Sequence, residues 1–177
     1  MTALVLLGLA VGKRSTRLDD WFHHFRHGPA RWLLYFTDPW LLAVVLAAGI
    51  VVALSQRRWR LSVVMAVSPL VGIALAQVFK ALLQRRAGDS LAFPSGHTTA
   101  AVVVMGMIVV LAGWAAWSVL AAVVVSALAA LGQAVTYHYF TDTVGGVLLG
   151  TAVVCVAASI AELDTRQPRC DADHTSG

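Results

Sequence analysis

The sequence predicts an all-α protein, a polytopic bundle of membrane helices, and three observations support this prediction. Hydrophobic residues make up 59% of the 177 residues and charged residues only 12%, whereas a soluble domain carries about 25% charged residues. The mean hydropathy is +0.77. The apolar residues also fall in long runs that short polar segments separate. The chain therefore belongs among the membrane proteins.

A single membrane domain is predicted over residues 1–161, with a catalytic core over 40–160. Residues 2–12 amount to about half a span, which predicts a first helix whose beginning is short or missing. Pro39 suits a first helical turn, and Pro69 predicts a kink. Residues 162–177 are polar and are expected to form a disordered cytoplasmic tail. The five clear spans are expected at Trp40–Leu54, Leu61–Leu83, His97–Ala112, Ser118–Val135 and Thr141–Ala161.

Residues 13–37 mix aromatic side chains with charged ones, a pattern that suits the lipid headgroup zone. This pattern predicts one or two interfacial helices, broken at Gly28-Pro29. The histidines of this segment are interpreted as part of a wet amphipathic face, because no carboxylate or cysteine convincingly completes a metal ligand set. These histidines are His23, His24 and His27.

The cations predict how the chain is oriented and what it meets. The formal net charge of +4 comes mostly from loop arginines, which indicates contact with anionic headgroups and gives no support for nucleic-acid binding. If the loop with Arg57, Arg58 and Arg60 is cytoplasmic, the polar segments near residues 80–97 and 137–142 lie together on the opposite face. Cys155 and Cys170 show neither metal spacing nor a disulfide framework.

Three polar segments interrupt the apolar runs and carry the predicted chemistry. The basic cluster comprises Lys80, Arg85 and Arg86, the PSGH turn comprises Pro94–His97, and the second histidine segment comprises Tyr137–Asp142. Charged groups near a membrane core cost roughly 2.5 to 3.5 kcal/mol each, so they are expected to have partners or a function. Lipid-phosphate contact by snorkelling cations is the simpler alternative for the basic cluster alone.

The PSGH turn and the second histidine segment together indicate phosphoryl transfer. A Ser-Gly-His sequence that opens a helix offers a hydroxyl, an imidazole and main-chain N–H groups to an anion, and Gly96 permits close approach. His138 and Asp142 are four residues apart and share a face on a helical turn. The carboxylate would fix the imidazole tautomer and leave the other nitrogen free as nucleophile or base. One histidine would attack phosphorus, the other histidine would protonate the leaving oxygen, and no metal is required.

These residues resemble the type 2 phosphatidic acid phosphatase family, the membrane relatives of vanadium haloperoxidases. The family pattern is K-x6-R-P, then P-S-G-H, then S-R-x5-H-x3-D, and the resemblance covers roughly residues 40–160. It implies a six-helix bundle with its site at the outer membrane face. It also implies that His138 becomes phosphohistidine, that Asp142 orients His138 and that His97 is the general acid. Lys80 and Ser95, with the Gly96 amide, would bind the phosphate.

Two positions depart from the family pattern. Ala87 stands where the first motif has arginine, and Arg86, or less favourably Arg85, would take over that role. Leu131-Gly132 stands where the third motif has Ser-Arg. The loss of one cation from a phosphate clamp weakens transition-state stabilisation by roughly a few kcal/mol unless another cation replaces it. A cation from residues 13–37, or one on the substrate, is expected to compensate.

The leading hypothesis is a multi-pass plasma-membrane phosphatase without a cofactor, which acts on a lipid phosphomonoester or a polyprenyl diphosphate through phosphohistidine. Its site would face the non-cytoplasmic side, and phosphatidate, phosphatidylglycerophosphate and polyprenyl substrates all stay open. One alternative is a degenerate, non-catalytic relative that binds lipid phosphates or scaffolds a partner. The other is a haem protein with His97 and His138 as axial ligands. It is less favoured, because haem ligation needs neither an aspartate at i+4 nor a basic cluster.

Overall fold

The computed structural model describes residues 2–11, 16–23, 29–87, 90–137 and 139–162. These residues form helices and one short antiparallel hairpin, in which Arg86 pairs with Leu91 and Ala87 with Ser90. The helices are α1 (Thr2–Val11), α2 (Arg17–His23), a 3-10 helix (Pro29–Thr37), α3 (Pro39–Ser55), α4 (Trp59–Leu83), α5 (Gly96–Leu111), α6 (Ala116–Thr136) and α7 (Phe140–Glu162). The strands are β1 (Arg86–Ala87) and β2 (Ser90–Leu91). The prediction of a helical bundle is confirmed.

Fewer helices are long enough to span a membrane than the sequence predicts. Within the described ranges, three helices are long and apolar enough to cross a membrane, namely α4, α6 and α7. Helices α3 and α5 have 17 and 16 residues, and α1 has 10, against the roughly 20 residues of a typical span. The prediction of five clear spans is therefore not confirmed. The three long apolar helices are typical of a membrane protein.

Local sequence signals account for the helix ends. The Asp38 carboxylate accepts hydrogen bonds from the main-chain N–H groups of Trp40 and Leu41 at 2.9 and 3.0 Å, and Pro39 follows at the first helical position. Ser95 caps α5 in the same way through Thr98. Helix α4 runs through Pro69 without ending, although proline removes one main-chain hydrogen bond.

Among the described residues of the segment 13–37, Asp19 and Thr37 are buried. Trp21, Trp32 and Tyr35 are exposed, as expected, but Asp19 is 0% exposed. The 3-10 helix packs on α6, where the buried Gln133 side-chain N–H donates to the Thr37 hydroxyl at 2.7 Å. The interfacial interpretation of residues 13–37 stays a prediction, with Asp19 buried inside the protein. Several predicted features lie outside the described residues. They are the break at Gly28, the residues His24 and His27, the side chain of His23 and the tail from residue 163.

Helices α5 and α7 approach each other closely where both begin. A Cβ atom at Gly146 would lie 2.6 Å from the Ser95 carbonyl oxygen, which is too close for any side chain. A buried cluster also joins α1, α4, α7 and the loop before α5 at this end, through Leu4, Ala76, Phe93 and Leu149. At the opposite end, the Arg58 guanidinium donates to the Leu111 carbonyl at the end of α5. One end of the bundle therefore holds the start of α5 and α7, and the other end holds the Arg58 loop and the end of α5.

Candidate active site

Three segments far apart in sequence meet at the end of the bundle where α5 and α7 begin. The Ser95 main-chain N–H donates to the Asp142 carbonyl oxygen at 2.9 Å, which joins the PSGH turn to α7. Arg85 donates from Nη1 to Asp142 Oδ1 at 2.7 Å, which joins the basic cluster to the same residue. The Asp142 Oδ2 atom accepts the Tyr139 main-chain N–H at 3.2 Å. Asp142 is therefore the meeting point of this end.

Arg85 is enclosed by acidic partners. Helix α4 ends at Gln84 in a left-handed conformation, and Arg85 follows directly. Its side chain is 1% exposed, and its Nη1 donates to Thr141 Oγ1 at 2.6 Å while its Nη2 donates to Asp19 Oδ2 at 2.9 Å. The guanidinium also lies 4.9 Å from the centre of the Tyr139 ring. Arg85 is thus a buried partner of two carboxylates, and its second-choice role as a phosphate ligand stays a prediction.

Asp19 is the second carboxylate that Arg85 contacts, and it reaches the site from α2. Its Oδ1 accepts the Thr141 main-chain N–H at 3.0 Å and the Thr141 hydroxyl at 3.0 Å. Burial by itself raises the pKa of Asp19, but the hydrogen bonds from the main chain of Thr141 and from Thr16 outweigh it and leave the pKa below the ordinary 3.8. Asp19 is therefore anionic at neutral pH.

The PSGH turn presents a helix start beside this charge network. Ser95 is fully buried, and its Oγ accepts hydrogen bonds from the Thr98 main-chain N–H and the Thr98 hydroxyl. The next residue, Gly96, has open space where a Cβ atom would lie. His97 is exposed. First-turn amides of a helix lack intrahelical acceptors, so those of Gly96 and His97 are suited to bind an anion.

The other predicted site residues are described to different extents. Lys80 is partly buried in the last turn of α4 and interacts electrostatically with Asp142. The Arg86 main chain forms β1, but its side chain lies outside the described part of the structure. His138 also lies outside it, between Tyr137 at the end of α6 and Tyr139 before α7. The roles of Lys80, Arg86, His97 and His138 stay predictions.

The structure gives a physical reason for the missing arginine of the third motif. A Cβ atom at Gly132 would lie 2.7 Å from the main-chain carbon of Leu33 and 2.8 Å from its oxygen. The 3-10 helix therefore occupies the space that any side chain at position 132 would need. From residues 13–37 the described contacts to the site come from the anion Asp19 and from Phe22, whose ring stacks on Phe140. The expected compensating cation is not among these described contacts.

Sequence reasoning missed Asp19, although one local signal was available. Thr16 and Asp19 form a capping box at the start of α2, in which the Thr16 hydroxyl accepts the Asp19 N–H and Asp19 Oδ2 accepts the Thr16 N–H. Such a box predicts a helix start, but it gives no information on a partner 66 residues away. Among the residues with described positions, no group of three His, Cys, Asp or Glu side chains is arranged to hold a metal ion.

A helical membrane bundle with a buried charge network and an open helix start at one end defines the class of protein. Residues 77–166 match the family model of the PAP2 superfamily. This match covers just over half of the 177 residues, so the chain belongs to the PAP2 superfamily. Membership indicates hydrolysis of phosphate esters by a phosphatase. Searches of curated proteins and of solved structures returned no match.

Proposed function

We propose that this protein is an integral membrane phosphatase that removes phosphate from a lipid phosphomonoester or a polyprenyl diphosphate. The observation that carries the proposal is the meeting of the PSGH turn and the basic cluster at Asp142. This site lies at one end of apolar helices with exposed Leu70, Leu120 and Val156. A lipid whose tail stays in the bilayer would present its phosphate at such an end.

The proposed reaction has two steps in which His138 carries the phosphoryl group. A ring nitrogen of His138 attacks phosphorus, the bond from phosphorus to the leaving oxygen breaks, and His97 gives a proton to that oxygen. A water molecule then attacks the phosphorus of the phosphohistidine and gives a proton to His97, and the bond from phosphorus to the His138 nitrogen breaks, which releases inorganic phosphate and restores His138. Lys80, Arg86 and the first amides of α5 would stabilise the charge on the phosphoryl oxygens.

Phosphate release by the purified protein tests this proposal. We expect release from at least one of phosphatidate, phosphatidylglycerophosphate and a polyprenyl diphosphate, with an acid-labile phosphoenzyme and unchanged turnover in EDTA. Imidazoles and cations supply the nucleophile and the charge stabilisation in this mechanism, so chelation should have no effect. Turnover that EDTA abolishes and Mg²⁺ or Zn²⁺ restores would contradict the mechanism. Lipid-phosphate binding without release would favour the non-catalytic alternative.

We also propose that the site faces the non-cytoplasmic side of the plasma membrane. The loop with Arg57, Arg58 and Arg60 lies at the opposite end of the bundle, where Arg58 contacts Leu111, and positively charged loops favour the cytoplasm. Single cysteines at the exposed positions Gln84 and Tyr137 should react with an impermeant thiol reagent in intact cells.

A matched variant makes this labelling test specific. Gln56→Cys, exposed at the arginine-rich end, should react only after lysis, and all variants carry Cys155→Ala and Cys170→Ala. Reaction of Gln56→Cys in intact cells, with Gln84→Cys protected, would mean that the orientation is inverted. Different accessibility of Gln84→Cys and Tyr137→Cys would contradict a single site.

A further inference from the structure

We propose that Asp19 is a positioning residue for the phosphatase reaction, which keeps Arg85 from taking both oxygens of Asp142. This inference rests on the proposed function and names a residue outside the 77–166 match. It begins from a shared partner, since Arg85 uses Nη1 for Asp142 and Nη2 for Asp19. The guanidinium is therefore divided between the two acids.

The geometry of arginine makes this division important. A guanidinium forms its strongest pairs when two parallel N–H groups meet both oxygens of one carboxylate. Without Asp19, Arg85 would be able to pair in this way with Asp142 alone. The carboxylate would then leave its present arrangement, in which Oδ1 accepts Arg85 and Oδ2 accepts the Tyr139 main-chain N–H, and it would be less able to orient the His138 imidazole. Asp19 holds the second nitrogen of Arg85 at 2.9 Å and so opposes that rearrangement.

Asp19 also holds the residue that precedes Asp142. It accepts both the main-chain N–H and the hydroxyl of Thr141, and the same hydroxyl accepts Arg85 Nη1 at 2.6 Å. The first turn of α7 is therefore fixed through Thr141 as well as through Arg85. All three charged groups are 0% or 1% exposed, so water competes little with these bonds.

Charge balance leads to the same role. Arg85 carries one positive charge, and Asp19 and Asp142 together carry two negative charges. Lys80, which interacts electrostatically with Asp142, adds a second positive charge, so the four groups sum to zero with Asp19 and to one positive charge without it. A negative Asp142 would stabilise a positively charged His138 as the phosphohistidine forms, whereas an Asp142 fully neutralised by Arg85 would do so less well.

Single-turnover formation of the phosphoenzyme tests this role, because its rate constant and its amplitude report different properties. The substrate is whichever lipid phosphate the wild-type protein hydrolyses. Asp19→Asn keeps the side-chain shape but removes the charge, and we expect the rate constant to fall at least about tenfold, since a hydrogen bond between charged groups is lost. A merely structural role would lower the amplitude, which measures the folded fraction, and leave the rate constant unchanged.

Two further variants make the test decisive. Asp38→Asn makes the same chemical change at the helix cap of α3, where the described partners of the carboxylate are the main-chain N–H groups of Trp40 and Leu41, and it should leave the rate constant at the wild-type value. Thr141→Val removes the hydroxyl between Arg85 and Asp19 while keeping the side-chain shape. It should lower the rate constant less than Asp19→Asn does. If Asp19→Asn does not fold, the rate constant of Thr141→Val is the measurement that tests the positioning role of Asp19.

A double variant tests whether Asp19 acts through Asp142. In an Asp142→Asn background, Asp19→Asn should lower the rate constant less than twofold further, because the pathway is already broken. The inference would be overturned, while the proposed function stands, if Asp19→Asn lowered the rate constant by the same factor in both backgrounds. A wild-type rate constant for Asp19→Asn would overturn it as well, and so would a wild-type rate constant for Thr141→Val if Asp19→Asn does not fold. A wild-type protein that forms no phosphoenzyme would overturn the proposed mechanism, and the inference with it.

Discussion

An arginine at position 132, which would restore the family's third motif, should destabilise this protein and abolish its activity. Gly132 is buried in α6, and a Cβ atom there would lie 2.7 Å from the main chain of Leu33. Overpacking costs about 1 to 3 kcal/mol, and an arginine forced out of this space would displace the 3-10 helix or enter the core without a partner. The unfolding temperature in detergent, measured beside phosphate release, checks this result.

The neighbouring position supplies the control for this substitution. Leu131→Ser restores the other residue of the family pattern at a position that is 38% exposed, and it should leave the unfolding temperature nearly unchanged. Gly132→Ala should lie between the wild type and Gly132→Arg, because the shortest side chain already meets main-chain atoms. A Gly132→Arg protein of unchanged stability and faster turnover would show that the 3-10 helix does not pack on α6 in this way.

Substrates with different leaving groups should distinguish the catalytic roles of His97 and His138. His138→Ala should abolish phosphoenzyme and turnover together, because no other group is assigned the attack on phosphorus. His97→Ala should slow a lipid phosphate by roughly 100-fold or more but spare p-nitrophenyl phosphate, whose leaving group needs little protonation. The exposed position of His97 at the start of α5 agrees with a group that meets substrate only when it binds.

The measurement is phosphate release from both substrates, together with phosphoenzyme trapping. Near-normal turnover of His138→Ala, with His97→Ala inactive on both substrates, would mean that the two roles are reversed or wrongly assigned. If both variants lost activity on both substrates and kept normal unfolding temperatures, the role of His97 as an acid that only the leaving group requires would be contradicted. His24→Ala, in the segment interpreted as a wet face, should behave as wild type.

The structure changes the interpretation of two parts of the sequence. Residues 13–37 contribute a buried anion, Asp19, and a 3-10 helix that fills the space beside Gly132. The basic cluster is divided, since Arg85 is held by carboxylates while Lys80 is only partly buried. The proposed phosphate ligands are Lys80 and Arg86, with the helix start of α5.

Local physics allowed much of the fold to be predicted. Apolar runs set the helices to within a few residues, and the observed caps at Asp38 and Ser95 follow from side chains that bond main-chain groups two or three positions on. The fixed spacing within each motif likewise identified His97, His138 and Asp142 as candidates. These features depend on neighbours in sequence, so the sequence alone determined them.

Contacts between distant residues were decided only by the tertiary structure. Arg85 and Asp19 are 66 residues apart, and Gln133 and Thr37 are 96 apart. No local pattern tells which carboxylate a buried arginine will meet, or which main chain will lie against a glycine. Burial made these contacts necessary, because a charge away from water requires a partner. Packing then determined that Asp19 is that partner and that Leu33 lies where the family pattern has an arginine side chain.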